Sequence, residues 1–379
     1  MSGGQTQSPQ AEAHIDLDAY RSNVEALTRH VGGAQVMTVV KANAYGHGTV
    51  PIARAARDAG VDWLGVATVD EALALRSSGD RGPVLCWLAA PGAAFAEAIA
   101  ADVEVTASST AQMEEIMAAA PRRPRVQLKV DTGLSRNGAR GVEWSRLVER
   151  AAAEQAAGRV EITGVWSHFA CADEPDHPEN DAQEARFRAA VDEMVAAGLE
   201  PGLRHLSNSL AALTRASARF DLVRLGIASY GLDPAPGLSH PVDLRPVMTL
   251  RGRLAAVKRV PAGSGVSYGH TFTTGTETTL GLVPLGYGEG VPVAASNRVG
   301  AGFGGARVSQ VGRVCMDQLM VDLGDRPAAR GDVVTLFGPG DDGEPSALDW
   351  AEACGTIAYE IVTRIGGRVV RTYAGSQDA

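Results

Sequence analysis

From residue 17 to residue 225 the chain alternates two kinds of segment. Short apolar runs, rich in Val, Ile and Leu, occur at 36–40, 63–67, 84–88, 103–106, 126–130, 160–168, 203–206 and 222–225. Between them lie stretches with apolar residues three and four apart, at 50–59, 70–77, 94–100, 111–119, 142–157, 182–197 and 209–217. Unbroken apolar runs of this length fit strands buried on both faces, and the wider spacing fits helices with one buried face. Gly60, Gly79, Gly158 and Gly198 follow helical segments, and Pro121 stops another. A first helix is predicted over 16–30, where Leu17, Tyr20, Val24 and Leu27 share a face and Asp16 and Asp18 suit the N-terminal end. Strands alternating with crossover helices imply a parallel sheet. Eight such units predict a closed (β/α)8 barrel of the TIM type. An open doubly wound sheet would need a glycine-rich dinucleotide turn after its first strand, and Lys41-Ala-Asn-Ala-Tyr45 is not one.

The rhythm changes after Pro241. Strand-like runs with glycine turns follow at 250–260, 266–272, 278–284, 308–323 and 333–337. One short helix at 347–354 interrupts them, and a last strand region runs from about 361 through 369–373. This predicts a barrel over 13–242 and a second, mostly β domain over 243–379, large enough for its own core. Residues 1–12 are expected to be flexible or to add a strand to that distant sheet. Gly300-Ala-Gly302-Phe-Gly-Gly305 matches G-x-G-x-x-G by letter but leads into a strand, so it reads as a flexible loop.

Composition narrows the function. The 379 residues suffice for two domains, and 45% hydrophobic with 21% charged residues argues against disorder. A net charge of −9 without long runs of one sign argues against nucleic acid or an anionic membrane as partner. It leaves room for an anionic ligand held by a few arginines. Cys86, Cys171, Cys315 and Cys354 are scattered, which fits reduced thiols of a cytoplasmic protein. Cys171, Asp173 and His177 lie close in sequence, but their spacing matches no standard metal pattern, and no metal is expected. Residues 1–10 lack the basic start and apolar core of a signal peptide. No apolar run approaches the ~20 residues that span a membrane.

In a barrel, reactive residues collect at the C-terminal ends of strands. Lys41 ends the first strand, in Val36-Met-Thr-Val-Val-Lys41-Ala-Asn-Ala-Tyr45-Gly-His-Gly48. A lysine at the mouth of a buried strand either snorkels to the rim or carries a depressed pKa suited to Schiff-base chemistry. Lys129, Asp131 and Arg136 follow the fifth strand, His168 the sixth, Asn208 and Ser209 the seventh, and Arg224 the eighth. Ser209 at a helix start, with Gly226 and Ile227 after the last strand, reads either as an ordinary cap or as a phosphate seat.

The segment around Lys41 closely resembles the pyridoxal-phosphate lysine segment of alanine racemases, and the resemblance extends from about His14 to Tyr373. It implies pyridoxal 5′-phosphate held covalently by Lys41, with Tyr45 at its phosphate and Arg224 at its ring nitrogen beside His168. A cation there keeps that nitrogen unprotonated and the ring a weaker electron sink. The resemblance further implies that Asn208, Ser209, Gly226, Ile227 and Tyr359 bind the cofactor. Arg136 would meet its phenolic oxygen or the substrate carboxylate. Val266-Ser-Tyr268-Gly-His resembles the segment of the family's second base, so Lys41 and Tyr268 would serve opposite faces of the substrate. Met316 and Asp317 match a carboxylate-binding segment, and Tyr287 an entrance tyrosine. Lys129 matches a lysine that some members carbamylate. The family's site is composite, so a head-to-tail homodimer is expected, cytoplasmic, interconverting L- and D-alanine and supplying D-alanine for peptidoglycan. A decarboxylase of the same architecture would place an acid where Arg224 stands. A cofactor-binding protein built on a lone barrel would lack the β domain.

Overall fold

The structure, a computed structural model, describes residues 9–238 and 240–375. Strand β1 (Ala11–Asp16) precedes the barrel. The barrel strands are β2 (Gln35–Val39), β3 (Trp63–Val66), β4 (Val84–Cys86), β5 (Glu104–Ala107), β6 (Arg125–Lys129), β7 (Glu161–Trp166), β8 (Leu203–His205) and β9 (Leu222–Leu225). Each pairs in parallel with the next from β2 to β8, and β9 pairs with β2. Between β8 and β9, the amides of Asp221 and Arg224 donate to the carbonyls of Arg204 and Ser207, both at 3.1 Å, and complete the cylinder. Burial on both faces explains the unbroken apolar runs: all four residues of β3 and of β9 are buried.

The second domain holds β10 (Met248–Arg253), β11 (Ala256–Val260), β12 (Gly265–Val266), β13 (Phe272–Thr273), β14 (Thr278–Val283), β15 (Gly300–Phe303), β16 (Ala306–Val311), β17 (Leu319–Gly324), β18 (Val333–Phe337) and β19 (Val370–Ala374). Nine strands form one sheet in the order β11-β14-β17-β16-β15-β18-β10-β1-β19, and β12 pairs only with β13.

Several boundaries differ from expectation. Residues 13–16 belong to this sheet rather than to the barrel: β1 runs antiparallel to β10 and parallel to β19, with Ala11, Ala13 and Ile15 turned inward. Asp16 then caps the helix Leu17–Val31, accepting from the amides of Asp18 and Ala19 at 3.0 and 2.9 Å. The expected loop at 300–305 is a hairpin, in which β15 and β16 pair around Gly304 and Gly305 at φ 58° and 74°. The runs 250–260, 266–272 and 308–323 are each two strands, broken at 254–255, 267–271 and 312–318, and residues around 361 form a helix, Ala358–Thr363, not a strand. The flexibility expected of residues 1–8 lies outside the described residues.

After β2 the backbone does something unusual. Ala42, Asn43, Ala44 and Tyr45 all take left-handed conformations, with φ between 51° and 55°. A left-handed turn costs L-residues roughly 1–2 kcal/mol each, so its surroundings must hold it. Glu71 accepts from the amide of Ala42 at 2.6 Å and, through its other oxygen, from Ala67 at 2.8 Å. Nδ1 of buried His47 meets the carbonyls of Ala44 and Tyr45 at 3.0 and 2.9 Å. Arg371 of β19 donates to the carbonyl of Gly46 at 2.6 Å. Gly46 has no space for a side chain: a Cβ there would lie 2.3 Å from the carbonyl oxygen of Val362. The β domain therefore clamps the turn that follows Lys41.

Candidate active site

A cavity of about 890 Å³ opens at the C-terminal ends of the barrel strands. Lys41, Tyr45, Lys129, Arg136, His168, Asn208, Ser209, Arg224, Gly226 and Ile227 line it. The helix Ala358–Thr363 of the β domain brings Tyr359 to the same wall. Eleven residues singled out in the sequence thus converge.

Lys41, Lys129, Arg136 and Arg224 give this cavity a strong positive character. Among the described residues, none of the four is hydrogen-bonded to a carboxylate. Burial lowers the pKa of Lys41; Arg136 lowers it further, and Glu71 partly restores it. Lys129 is pushed down to about 7 by burial, then by Arg224 and Arg136. Its Nζ sits 4.1 Å from the centre of the Trp166 ring. Arg224 is buried, and its Nη2 donates to the carbonyls of Ser167 and Leu206 at 2.8 and 3.1 Å. It also meets Nδ1 of His168 at 3.1 Å. A guanidinium only donates, so this imidazole nitrogen accepts. Burial and then Arg224 hold the His168 pKa well below its usual value, and the ring is neutral.

A second cluster has the makings of an anion seat. Asn208 caps the helix Ser209–Thr214, accepting from Ala211 at 3.0 Å. Ser209 Oγ accepts from the amide of Gly226 at 2.8 Å. A Cβ on Gly226 would stand 2.6 Å from the Tyr45 hydroxyl. Only glycine lets the backbone after β9 approach this closely.

Four predicted residues lie elsewhere. Tyr268 is 69% exposed and lines a separate cavity of about 310 Å³ with Cys315 and Gln318. Tyr287, Met316 and Asp317 gather nearby on the β domain: the amide of Tyr287 donates to Cys315 O at 3.0 Å, and Gly288 to Met316 O at 2.8 Å. Arg368 ties Asp317 at 2.6 Å. Tyr287 and Met316 are exposed as well.

Residues 15–234 match the family model "Alanine racemase, N-terminal domain", and residues 247–373 match "Alanine racemase, C-terminal domain". The chain belongs to the alanine racemase family. It is 55% identical over 366 residues to the alanine racemase of Frankia casuarinae, covering 95% of each chain. It is 54% identical over 372 residues to that of Salinispora arenicola, covering 97% of this chain and 99% of the other. Among solved structures, the alanine racemase of D-cycloserine-producing Streptomyces lavendulae superposes with a TM-score of 0.95 at 51% identity, covering 98% of both chains. The enzyme of Streptomyces coelicolor A3(2) gives 0.94 at 52% identity, covering 97% of this chain and 98% of the other.

Sequence reasoning passed over several residues that shape this alanine racemase family site. Trp166 supports Lys129 with its face and stacks on His205, at 5.7 Å and 10°. His205 ends β8, and Gln127 and Glu104 lie inside β6 and β5. Polar letters inside apolar strands were the available signal. His47 acts on the backbone, which leaves no distinctive pattern, whereas Glu71 stands in the capping box Thr68-Val-Asp-Glu71, a pattern the sequence carried.

Proposed function

We propose that the protein interconverts L- and D-alanine with pyridoxal 5′-phosphate, in a homodimer where each active site is completed by the partner. The observation that carries this reading is Lys41, partly desolvated and, among the described residues, hydrogen-bonded to no carboxylate, in a cationic cavity beside an anion seat. The donor set suits the cofactor. Tyr45, Ser209, Gly226, Ile227 and Tyr359 would hold its phosphate, with Asn208 capping the helix that starts there. Arg224 would face its ring nitrogen, with His168 alongside, and Lys41 would bind it covalently. Arg136 would take its phenolic oxygen or the substrate carboxylate. When bound, the cofactor acidifies the substrate Cα–H by withdrawing electrons.

Lys41 Nζ, with its basicity lowered by burial, takes or returns the Cα proton on one face. Tyr268 Oη serves the opposite face. Its exposure, and its distance in the fold from the lysine cavity, suit delivery to a second copy's barrel, together with Tyr287, Met316 and Asp317. Lys129, poised near neutrality, can attack carbon dioxide through its free amine and lose a proton. The carbamate so formed would replace one of the four cations by a negative charge among the other three and orient Arg136. Intact mass under mild conditions without a carbamate adduct would count against this modification. Among the described residues no helix is long and apolar enough to cross a membrane. A cytoplasmic enzyme supplying D-alanine for peptidoglycan is the setting this activity fits.

The test is incubation with L-alanine in D₂O, following the α-proton by NMR and chirality by polarimetry. Exchange with loss of rotation, abolished in Lys41→Ala and strongly reduced in Tyr268→Phe, is expected. Exchange without racemisation would remove Tyr268 from its role. An absorbance band lost in Lys41→Ala, without exchange, would exclude alanine as substrate.

A further inference from the structure

A line of polar side chains runs through the barrel interior, away from the cavity. Glu104 is the first residue of β5, Gln127 the middle of β6, His205 the end of β8, and Arg224 lies in β9. All four are buried, Gln127 and His205 completely. Arg224 Nη1 meets His205 Nδ1 at 3.2 Å, His205 Nε2 meets Gln127 Oε1 at 2.7 Å, and Gln127 Nε2 donates to Glu104 Oε2 at 2.9 Å. At the closed end of the barrel, Thr163 donates to Glu104 at 2.7 Å and Arg125 pairs with it at 3.2 Å.

The chemistry of the two ends fixes every direction in this line. Arg224 can only donate, so His205 Nδ1 accepts. A neutral imidazole then carries its proton on Nε2, which donates to the Gln127 carbonyl. The amide NH₂ is left to face Glu104, and a carboxylate only accepts. Reversing the amide would set NH₂ against Nε2–H and C=O against the carboxylate. An apolar trio of similar volume would support a barrel at least as well as a buried acid. The line therefore asks for a role beyond holding the strands.

We propose that Glu104 is a positioning residue: it orients the Gln127 amide so that its carbonyl holds His205 Nε2–H, which fixes the imidazole against Arg224 and so presents Arg224 to the cofactor's ring nitrogen. This rests on the reading of Arg224 as the partner of that nitrogen. Mutating an outer partner of a metal-ligating histidine commonly costs 10- to 100-fold in metal affinity or activity, and an imidazole that orients an arginine is held by the same kind of contact. Here the partners lie two and three side chains from the reacting atoms, so the lower end of that range applies.

The decisive experiment is ¹⁵N NMR of the histidine-labelled holoenzyme, with His205→Gln identifying the signal. Wild type should show the His205 Nε2–H proton shifted downfield by its hydrogen bond to Gln127. Glu104→Gln and Gln127→Met should each move that proton upfield, while it stays on Nε2 because Arg224 still donates to Nδ1. Their kcat should fall by about tenfold, with KM within about twofold. Thr163→Val, which removes a contact to Glu104 without interrupting the line, should keep both the Nε2–H shift and kcat. Gln127→Met keeps the test open if Glu104→Gln folds poorly. An unchanged Nε2–H shift in the variants would overturn the proposal. So would a kcat that tracks the melting temperature across all three, Thr163→Val included. Absence of alanine racemisation in the wild type would instead sink the functional reading, because the proton shift is measured independently of turnover.

Discussion

Replacing Ala42 with glycine should stabilise this protein, although the same change weakens an ordinary helix. Ala42 sits at φ 53° and ψ 52°, in the left-handed region, with its methyl exposed. Alanine bears roughly 1–2 kcal/mol there and glycine bears none. Glycine's extra freedom in the unfolded chain returns about 0.5–1 kcal/mol of that gain. The methyl faces solvent, so little burial is lost, and the net expectation is a gain of about 0.5–1 kcal/mol. In a right-handed helix the substitution would cost about 1 kcal/mol, so the two backbones predict opposite signs. Urea midpoints of the holoenzyme, at one protein concentration, would read the difference. Ala44→Gly serves as a control: it relieves the same strain but loses a buried methyl worth about 0.8 kcal/mol, so it should come out near zero. A loss near 1 kcal/mol for Ala42→Gly would refute the left-handed turn and the account of how it is held.

Three further outcomes follow from the same geometry. Lys129 titrates near 7 in the folded protein against 10.5 unfolded. Between those values the unfolded chain binds the proton and the folded one does not, so stability should fall as the pH drops through this window and level off below it. Lys129→Met should flatten that slope in urea midpoints taken at several pH values; an unchanged slope would remove Lys129 as its source. Gly226→Ala would place a Cβ 2.6 Å from the Tyr45 hydroxyl and should weaken pyridoxal-phosphate binding at least about tenfold with little loss of fold, as read by absorbance titration of the apoprotein. Gly46→Ala, with Cβ 2.3 Å from Val362 O at φ 83°, should destabilise by about 2–4 kcal/mol, and equal melting temperatures would count against the clamp.

The barrel was legible because parallel strands buried on both faces must be apolar, and their helices must not be. That same background made Lys41, Lys129, His168 and Arg224 stand out at strand ends, and all four line one cavity. The left-handed turn was not legible: of its four residues only Asn43 favours positive φ, alanine and tyrosine do not, and the contacts that hold it come from Glu71, His47 and distant Arg371. β1 was obscured by its weakly apolar sequence, Ala11-Glu-Ala-His-Ile-Asp16, and by the distance to its partners. The hairpin at 300–305 was hidden by glycines, which suit both loops and close approach; a Cβ on Gly302 would lie 2.9 Å from Glu344. The helix carrying Tyr359 was missed because Ile361 and Val362 are β-branched in a six-residue element whose docking, not propensity, decides its state.

The position of β1 bears on the order in which the molecule can be made. β1 lies between β10 and β19, and His14 meets Thr372 across 358 residues of chain. The barrel is thus spliced into the β domain, whose first strand leaves the ribosome before the barrel and whose strand β19 leaves after the barrel and the rest of the sheet. During synthesis the barrel can close while β1 waits without neighbours, and the sheet is completed only when residues 370–374 arrive. Such long-range pairing is slow and leaves a strand edge open to strangers in the meantime. The same strand that delays assembly also fastens residues 11–16 to residues 370–374, so the clamp on the lysine turn, which uses Arg371, tightens only once β19 is in place.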